Sequence, residues 1–170
     1  MAKLRGIKSI NRQFNRWLRK YGFKTRVRGV DSEFFYYFND NTIGYSFFYP
    51  EDSIIPWANV LKELGCNYNI DTFYTAWLHE VGHSETYHTM SEEEINESDE
   101  TKDLMDTDPG SFADIYDAYY HLPVEYEATR WAVEYINKYP ERVEELVLKV
   151  GKAVRHFYKI NKVVNEEMFD

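Results

Sequence analysis

The stretch IDTFYTAWLHEVGHSETYH, residues 70–88, decides how the rest of the chain can be arranged. Its apolar side chains recur every three or four positions, which predicts an amphipathic α-helix, with Asp71 as the N-cap. Gly82 lies inside this helix, where glycine costs about 1 kcal/mol relative to alanine. We therefore expect another part of the chain to pack closely against the helix at Gly82. The apolar positions are Ile70, Phe73, Tyr74, Trp77 and Val81.

Within this helix, His79, Glu80 and His83 form the pattern H-E-x-x-H. Residues four apart on a helix lie on one face, so both histidines can bind the same metal ion. The pattern is typical of zinc peptidases, in which the glutamate is the general base on a zinc-bound water. We predict that His79 and His83 bind Zn²⁺ and that Glu80 removes the proton of that water. The alternative is a buried helix whose histidines only form hydrogen bonds.

Length and composition favour one globular domain, 1–170. The hydrophobic fraction of 44% is too high for a disordered chain. No apolar run reaches the length of a membrane span, and the basic N-terminus lacks the apolar segment of a secretory signal. The single cysteine, Cys66, allows no internal disulfide, which suits a reducing compartment. We therefore expect a cytoplasmic protein without a membrane partner, in which Cys66 is a buried small residue.

Positive charge is concentrated at the N-terminus. Residues 1–30 contain ten lysines and arginines and no acid, although the whole chain has a net charge of −9. Such a basic N-terminal arm could bind nucleic acid or an acidic protein partner. The simpler interpretation, which we favour, is that the arm docks on the acidic body of its own chain.

The remaining pattern predicts an α+β fold that is mainly helical, with a small antiparallel β-sheet. Helices are predicted over residues 5–21, 56–64, 112–121, 124–138 and 141–161. Strands are predicted over 24–30, 33–38 and 43–49, and Asn39-Asp40-Asn41 forms the turn between the last two. Residues 91–110 hold nine acids and one lysine without apolar periodicity. We predict that they form a solvated acidic loop near the site.

A catalytic zinc ion usually has three protein ligands and one open position. The longer pattern that ends in a third histidine is absent, because Thr89 stands at that place. Two sources remain for the third ligand. One is His121, and the other is a glutamate on the helix predicted over 124–138, which carries Glu125 and Glu127.

The sequence H-E-V-G-H at 79–83, followed by E-Y-E-A-T-R-W-A at 125–132, resembles the gluzincin metallopeptidases, and most of all the ImmA/IrrE type. The resemblance implies a zincin-like domain in which the small sheet packs on the motif helix. It also assigns the third zinc ligand to Glu127, the glutamate directly before an alanine, with Glu125 in reserve. It also implies a protein substrate held in extended form on an edge strand. By analogy, that substrate would be a repressor-type protein in the cytoplasm, in a system often belonging to a phage or mobile element.

Peptide hydrolysis also needs a hydrogen-bond donor for the oxyanion, opposite the zinc ion. We favour His121, although an exposed loop histidine is the simpler interpretation of that residue. The alternative to an enzyme is a zinc-containing but non-catalytic binding module that acts through its basic N-terminal arm. An intact Glu80 argues against it, because a purely structural zinc ion needs no acid there. The other candidate donors are Tyr87, His88, Tyr119, Tyr120 and Tyr126.

Overall fold

The structure is a computed structural model that describes residues 6–31, 34–47, 51–107 and 112–161. These residues confirm the predicted α+β class, with mainly helical content. Residues 1–5 of the basic arm, residue 33, residues 48–49 and residues 108–110 belong to predicted segments but lie outside the description. The elements are α1 (Ile7–Lys20), β1 (Arg26–Val30), β2 (Phe35–Tyr37), β3 (Thr42–Tyr45), α2 (Glu51–Glu63), α3 (Thr72–Thr86), α4 (Glu92–Thr107), α5 (Phe112–Tyr120), α6 (Pro123–Lys138) and α7 (Pro140–Asn161), with a 3₁₀ turn at Tyr87–Thr89.

The sheet is mixed, so the prediction of a wholly antiparallel sheet was wrong. Strands β2 and β3 form the predicted antiparallel hairpin, but β1 pairs parallel with β3, and the strand order is β1-β3-β2. All four residues of β3 are buried. A strand buried on both faces is most stable in the middle of a sheet, where both of its backbone edges are paired. As a result β2 lies at an edge of the sheet.

The motif helix α3 runs through the core. It begins after Asp71, whose carboxylate accepts a hydrogen bond from the Phe73 amide at 2.8 Å, as the predicted N-cap requires. On one face of α3, Trp77 stacks on Phe14 of α1, with ring centroids 4.3 Å apart. The apolar stripe of α1 is buried in the same core. The basic helix α1 is therefore an integral part of the fold.

The opposite face of α3 packs against α6, and the closest approach is at Gly82. A Cβ atom built on Gly82 would lie 2.3 Å from the carbonyl oxygen of Ala128. Carbon and oxygen atoms cannot come so close, so only glycine permits this contact between the two backbones. The expectation of a close neighbour at Gly82 is confirmed, and that neighbour is α6.

Gly82→Ala should destabilise the protein even though alanine is the better helix former. Alanine gains about 1 kcal/mol in helix propensity. The clash with the Ala128 backbone should still lower the net free energy of unfolding by about 1–3 kcal/mol, a typical cost of overpacking. Urea denaturation measures the difference. Gly151→Ala is the control, because its Cβ would meet only movable side-chain ends, the Tyr74 hydroxyl at 3.1 Å and the Arg155 guanidinium at 3.4 Å. An equal change in both variants would contradict the backbone clash.

The acidic segment is a helix, α4, and the prediction of a loop over 91–110 was wrong for the described part. Ser91 and Glu94 form a capping box: the Ser91 amide donates to the Glu94 carboxylate at 2.8 Å, and the Glu94 amide donates to the Ser91 hydroxyl at 3.2 Å. Glu92, Glu93 and Glu94 occupy the first turn, where the helix dipole favours negative charge. These local effects support a helix that has little apolar periodicity.

Three further observations complete the fold. Helix α2 begins at Glu51, five residues before its predicted start, so Pro56 lies inside the helix and not in its first turn. Cys66 is half-buried and not fully buried, contrary to expectation. Across the described residues, none of the helices combines the length and the apolar character that crossing a membrane requires.

Candidate metal centre

His79, His83 and Glu125 meet between α3 and α6. The Oε2 atom of Glu125 lies 3.1 Å from Nε2 of His79 and 3.3 Å from Nε2 of His83. All three residues are buried, and Glu125 is only 1% exposed. Burying an ionised carboxylate is costly unless partners compensate its charge. Two imidazole nitrogens and one carboxylate oxygen therefore converge at a site where a cation would be favoured.

Glu80 completes the motif beside these ligands. It follows His79 directly on α3 and is also buried. Atoms able to bind a metal in His79, Glu80 and His83 all lie within 4.8 Å of one another. The structure thus brings Glu80 to the same centre as the two histidines, which is the arrangement that the spacing of the motif predicts.

The three convergent groups fit a zinc ion. Two histidines and one glutamate form a known catalytic zinc ligand set. Tetrahedral coordination with bonds of about 2.0–2.1 Å places neighbouring donor atoms roughly 3.3 Å apart. The Glu125 oxygen lies 3.1 and 3.3 Å from the two imidazole nitrogens. The donor types and these two spacings are therefore compatible with a bound zinc ion.

A hydrogen-bond chain through Thr129 orients His79. The Thr129 hydroxyl donates to the backbone carbonyl of Glu125 at 2.8 Å and lies 2.9 Å from Nδ1 of His79. Since its one proton is already donated, the hydroxyl accepts the Nδ1–H of His79. A neutral His79 in this tautomer can offer the Nε2 lone pair to a metal ion at the centre. Such second partners fix the tautomer and the ring orientation of metal-binding histidines.

Glu125 is held by side chains from two other helices. Ser98 of α4, itself buried, donates to Oε1 of Glu125 at 3.3 Å, and Tyr119 of α5 also forms a hydrogen bond to the carboxylate. Burial, and next the negative charge of Glu125, raise the pKa of the Tyr119 phenol well above its ordinary value. Tyr119 is therefore protonated near neutral pH and acts as a donor. The acidic helix α4 contributes to the site through Ser98.

Glu127, the third ligand assigned by resemblance, does not lie at this centre. Its carboxylate forms an ion pair with Arg130 at the surface. Positions 125 and 127 are about 200° apart around a helix, so only one of them can face α3. The structure places Glu125, the reserve candidate, at this centre.

His121 also lies outside the centre. Its Nε2 is 3.0 Å from the Glu63 carboxylate, its Nδ1 is 2.7 Å from the Asp117 carbonyl oxygen, and its side chain is 38% exposed. The hydrogen bond to Glu63, followed by the one to Asp117, raises the pKa of this imidazole. It is therefore a surface histidine, the simpler of the two interpretations. Among the candidate oxyanion donors, the structure instead brings Tyr119 beside Glu125.

Aromatic residues and an edge strand surround the centre. The Tyr36 ring of β2 lies nearly parallel to the His83 imidazole, with centroids 6.4 Å apart. The Trp57 ring of α2 lies nearly perpendicular to the His79 imidazole, with centroids 5.3 Å apart. Because β2 is an edge strand, its backbone can pair with an extended peptide close to His83.

Comparison with known proteins gives no relative: no family model, no curated protein and no solved structure matches this chain. Any function assigned to the chain therefore rests on the geometry of its own residues.

Proposed function

We propose that this chain is a zinc-dependent metallopeptidase that hydrolyses peptide bonds in a protein substrate. The observation that carries the proposal is the buried convergence of His79, His83 and Glu125 between α3 and α6, with Glu80 at the same centre. Three protein ligands are typical of catalytic zinc ions, whereas structural zinc ions usually have four.

The ion would be held by Nε2 of His79, Nε2 of His83 and Oε2 of Glu125. Bound there, zinc would supply Lewis acidity, which polarises a carbonyl group and lowers the pKa of water from 15.7 to about 7. The chain's own residues prepare this binding. Thr129 favours the tautomer of His79 whose Nε2 can bind the ion, and Ser98 and Tyr119 hold the carboxylate of Glu125.

Glu80 is the proposed general base. Its carboxylate accepts a proton from the attacking water as the water oxygen bonds to the carbonyl carbon of the substrate. The same proton then passes to the nitrogen of the leaving amine as the C–N bond breaks. Such proton transfer by a positioned side chain typically accelerates a reaction by about 10²–10⁴-fold. Because its phenol is protonated and lies beside Glu125, Tyr119 replaces His121 as our proposed oxyanion donor.

The proposed substrate is a segment of protein in extended conformation. On its inner side β2 pairs with β3, and no strand in the described part of the chain pairs with its other side. A peptide that adds to this open edge would run past Tyr36 and close to His83. The resemblance suggests a repressor-type substrate in the cytoplasm, and this stays a prediction.

Metal removal tests the proposal. The purified chain should contain one zinc ion and cleave some members of a library of unstructured peptides, as read by mass spectrometry. Chelation should abolish cleavage and zinc should restore it. Magnesium should not, because it prefers oxygen ligands to imidazole. Unchanged cleavage after complete chelation would contradict a zinc enzyme. One bound zinc ion without cleavage of any peptide or protein would favour the non-catalytic binding module.

A further inference from the structure

A basic groove lies between α1 and α7, with a volume of about 440 Å³. It is on the far side of α3 from the metal centre, because α1 packs on Trp77 whereas His79 and His83 face α6. We call it the α1–α7 groove. Its cationic side chains are Arg16, Lys20, Lys149 and Lys152.

The charge of the α1–α7 groove is opposite to that of the rest of the chain. Glu145 is the one acidic residue among the described residues that line it. It pairs with Lys20 at 2.5 Å and with Lys149. Four cations and one acid give the lining a charge of +3, so the other residues of this −9 chain sum to −12. Such charge separation creates a local positive potential that attracts anions.

Two of the four cations are free to meet a ligand. Lys20 and Lys149 are engaged by Glu145, and their hydrogen bonds lower the pKa of that carboxyl to about 2. Arg16 and Lys152 are exposed and form no ion pair with a carboxylate in the described ranges. The uncompensated charge of the groove therefore belongs mainly to Arg16 and Lys152, one on each helix.

The lining favours phosphate groups over an acidic protein. Protein interfaces usually have an apolar, aromatic-rich centre. Trp17 and Ala153 form the floor of the groove but are only 2% and 7% exposed, and the accessible side chains are polar or charged. Unpaired bases normally stack on exposed aromatic rings, and among the described lining residues the small imidazole of His156 is the only exposed ring. A duplex, in contrast, presents its phosphates outward and needs neither feature.

The two helices present matching rows of polar side chains. Gln13, Arg16 and Lys20 on α1, like Lys149, Lys152 and His156 on α7, have the spacing i, i+3, i+7 of a single helix face. Seven residues of helix extend over about 10 Å, along which a DNA duplex carries roughly six phosphate charges. Arg16 and Lys152, one on each helix, can therefore each meet a phosphate along that length.

We propose that the α1–α7 groove binds the phosphate backbone of a nucleic-acid duplex without reading its sequence. Arg16 and Lys152 contact phosphates directly, and Gln13 and Ser9 can donate hydrogen bonds to phosphate oxygens. The proposal is independent of peptidase activity, because the two sites lie on opposite sides of α3.

Fluorescence anisotropy with a labelled DNA duplex of about 20 base pairs tests this at several salt concentrations. If Arg16 and Lys152 each contact one phosphate, the slope of log K against log salt should be about −1.8, which lowers affinity roughly 10-fold between 50 and 200 mM salt. Arg16→Gln with Lys152→Gln should weaken binding at low salt and make the slope shallower by about 2. A duplex RNA should bind with a similar slope, since only the backbone is contacted.

The matched control is Lys62→Gln with Lys138→Gln, which removes the same charge from exposed positions on α2 and α6. It should retain wild-type binding, and both double variants should retain the wild-type zinc content and melting temperature. Equal loss of binding in the two double variants would show an effect of net charge alone. That result would overturn the proposal, as would no binding at low salt or equally tight binding of polyglutamate.

Discussion

Glu80→Gln should retain one bound zinc ion and lower peptide turnover by about 10²–10⁴-fold, the usual contribution of general-base catalysis. Glutamine keeps the size and helix propensity of glutamate but cannot accept a proton. The metal ligands proposed here, His79, His83 and Glu125, are unchanged in this variant. Single-turnover rates, together with the zinc content of the same preparation, measure the two effects separately.

Two control variants sharpen this comparison. His79→Ala removes a proposed ligand and should lose the zinc ion itself, so its inactivity has a different cause. Glu134→Gln makes the same chemical change on the exposed side of α6 and should leave both zinc and turnover unchanged. If Glu80→Gln cleaves a genuine substrate as fast as the wild type, Glu80 is not the base.

Glu125→Gln should weaken zinc binding by more than about 100-fold, whereas Glu127→Gln should leave it unchanged. Losing an outer-shell partner alone typically costs 10–100-fold in metal affinity, and Glu125 is a proposed direct ligand with a negative charge. Glu127 pairs with Arg130 at the surface, where an ion pair contributes about 0–1 kcal/mol to stability. Competition with a chelating dye measures both affinities.

The pair of variants forms a matched test, since the same exchange is made two residues apart on one helix. Melting curves of the metal-free variants establish that each is folded before its zinc affinity is compared. The reverse result, with loss in Glu127→Gln and none in Glu125→Gln, would restore the ligand assignment made from the resemblance.

The position of Glu125 on the face of α6 that meets the centre could have been predicted from the sequence. Glu127 is followed at i+3 and i+7 by Arg130 and Glu134, a charged row typical of an exposed helix face. Glu125 is followed at i+3 and i+7 by Ala128 and Ala132, which are buried. The apolar spacing therefore indicated that Glu125 lies on the buried face of α6. The assignment of Glu127 rested instead on the resembling family, in which the ligand is the glutamate directly before an alanine. Periodicity within one chain was the better guide to orientation here.

Other parts of the centre depend on tertiary contacts that local pattern does not encode. The motif helix was predictable because its N-cap, its apolar spacing and its metal-binding spacing all agree. Ser98 and Thr129 carry no distinctive signal, because serine and threonine are common and act here only through neighbours distant in sequence. The parallel pairing of β1 with β3 could not be predicted either, because the alternation of apolar and polar residues within a strand does not specify its partner. The capping box of α4, in contrast, is a local pattern, Ser91 followed by Glu94 three residues later, and the sequence alone can predict it.

The contact between Gly82 and the Ala128 carbonyl limits which substitutions this sequence can accept during evolution. The backbone contact between Gly82 and Ala128 sets the spacing of α3 and α6. The distance from the two imidazoles to the Glu125 carboxylate therefore depends little on the surrounding apolar side chains. Those side chains can exchange with one another while the centre keeps its dimensions. In a descendant that retains His79, His83 and Glu125, position 82 should therefore be as constrained as the ligands themselves, although it contributes no atom to the chemistry.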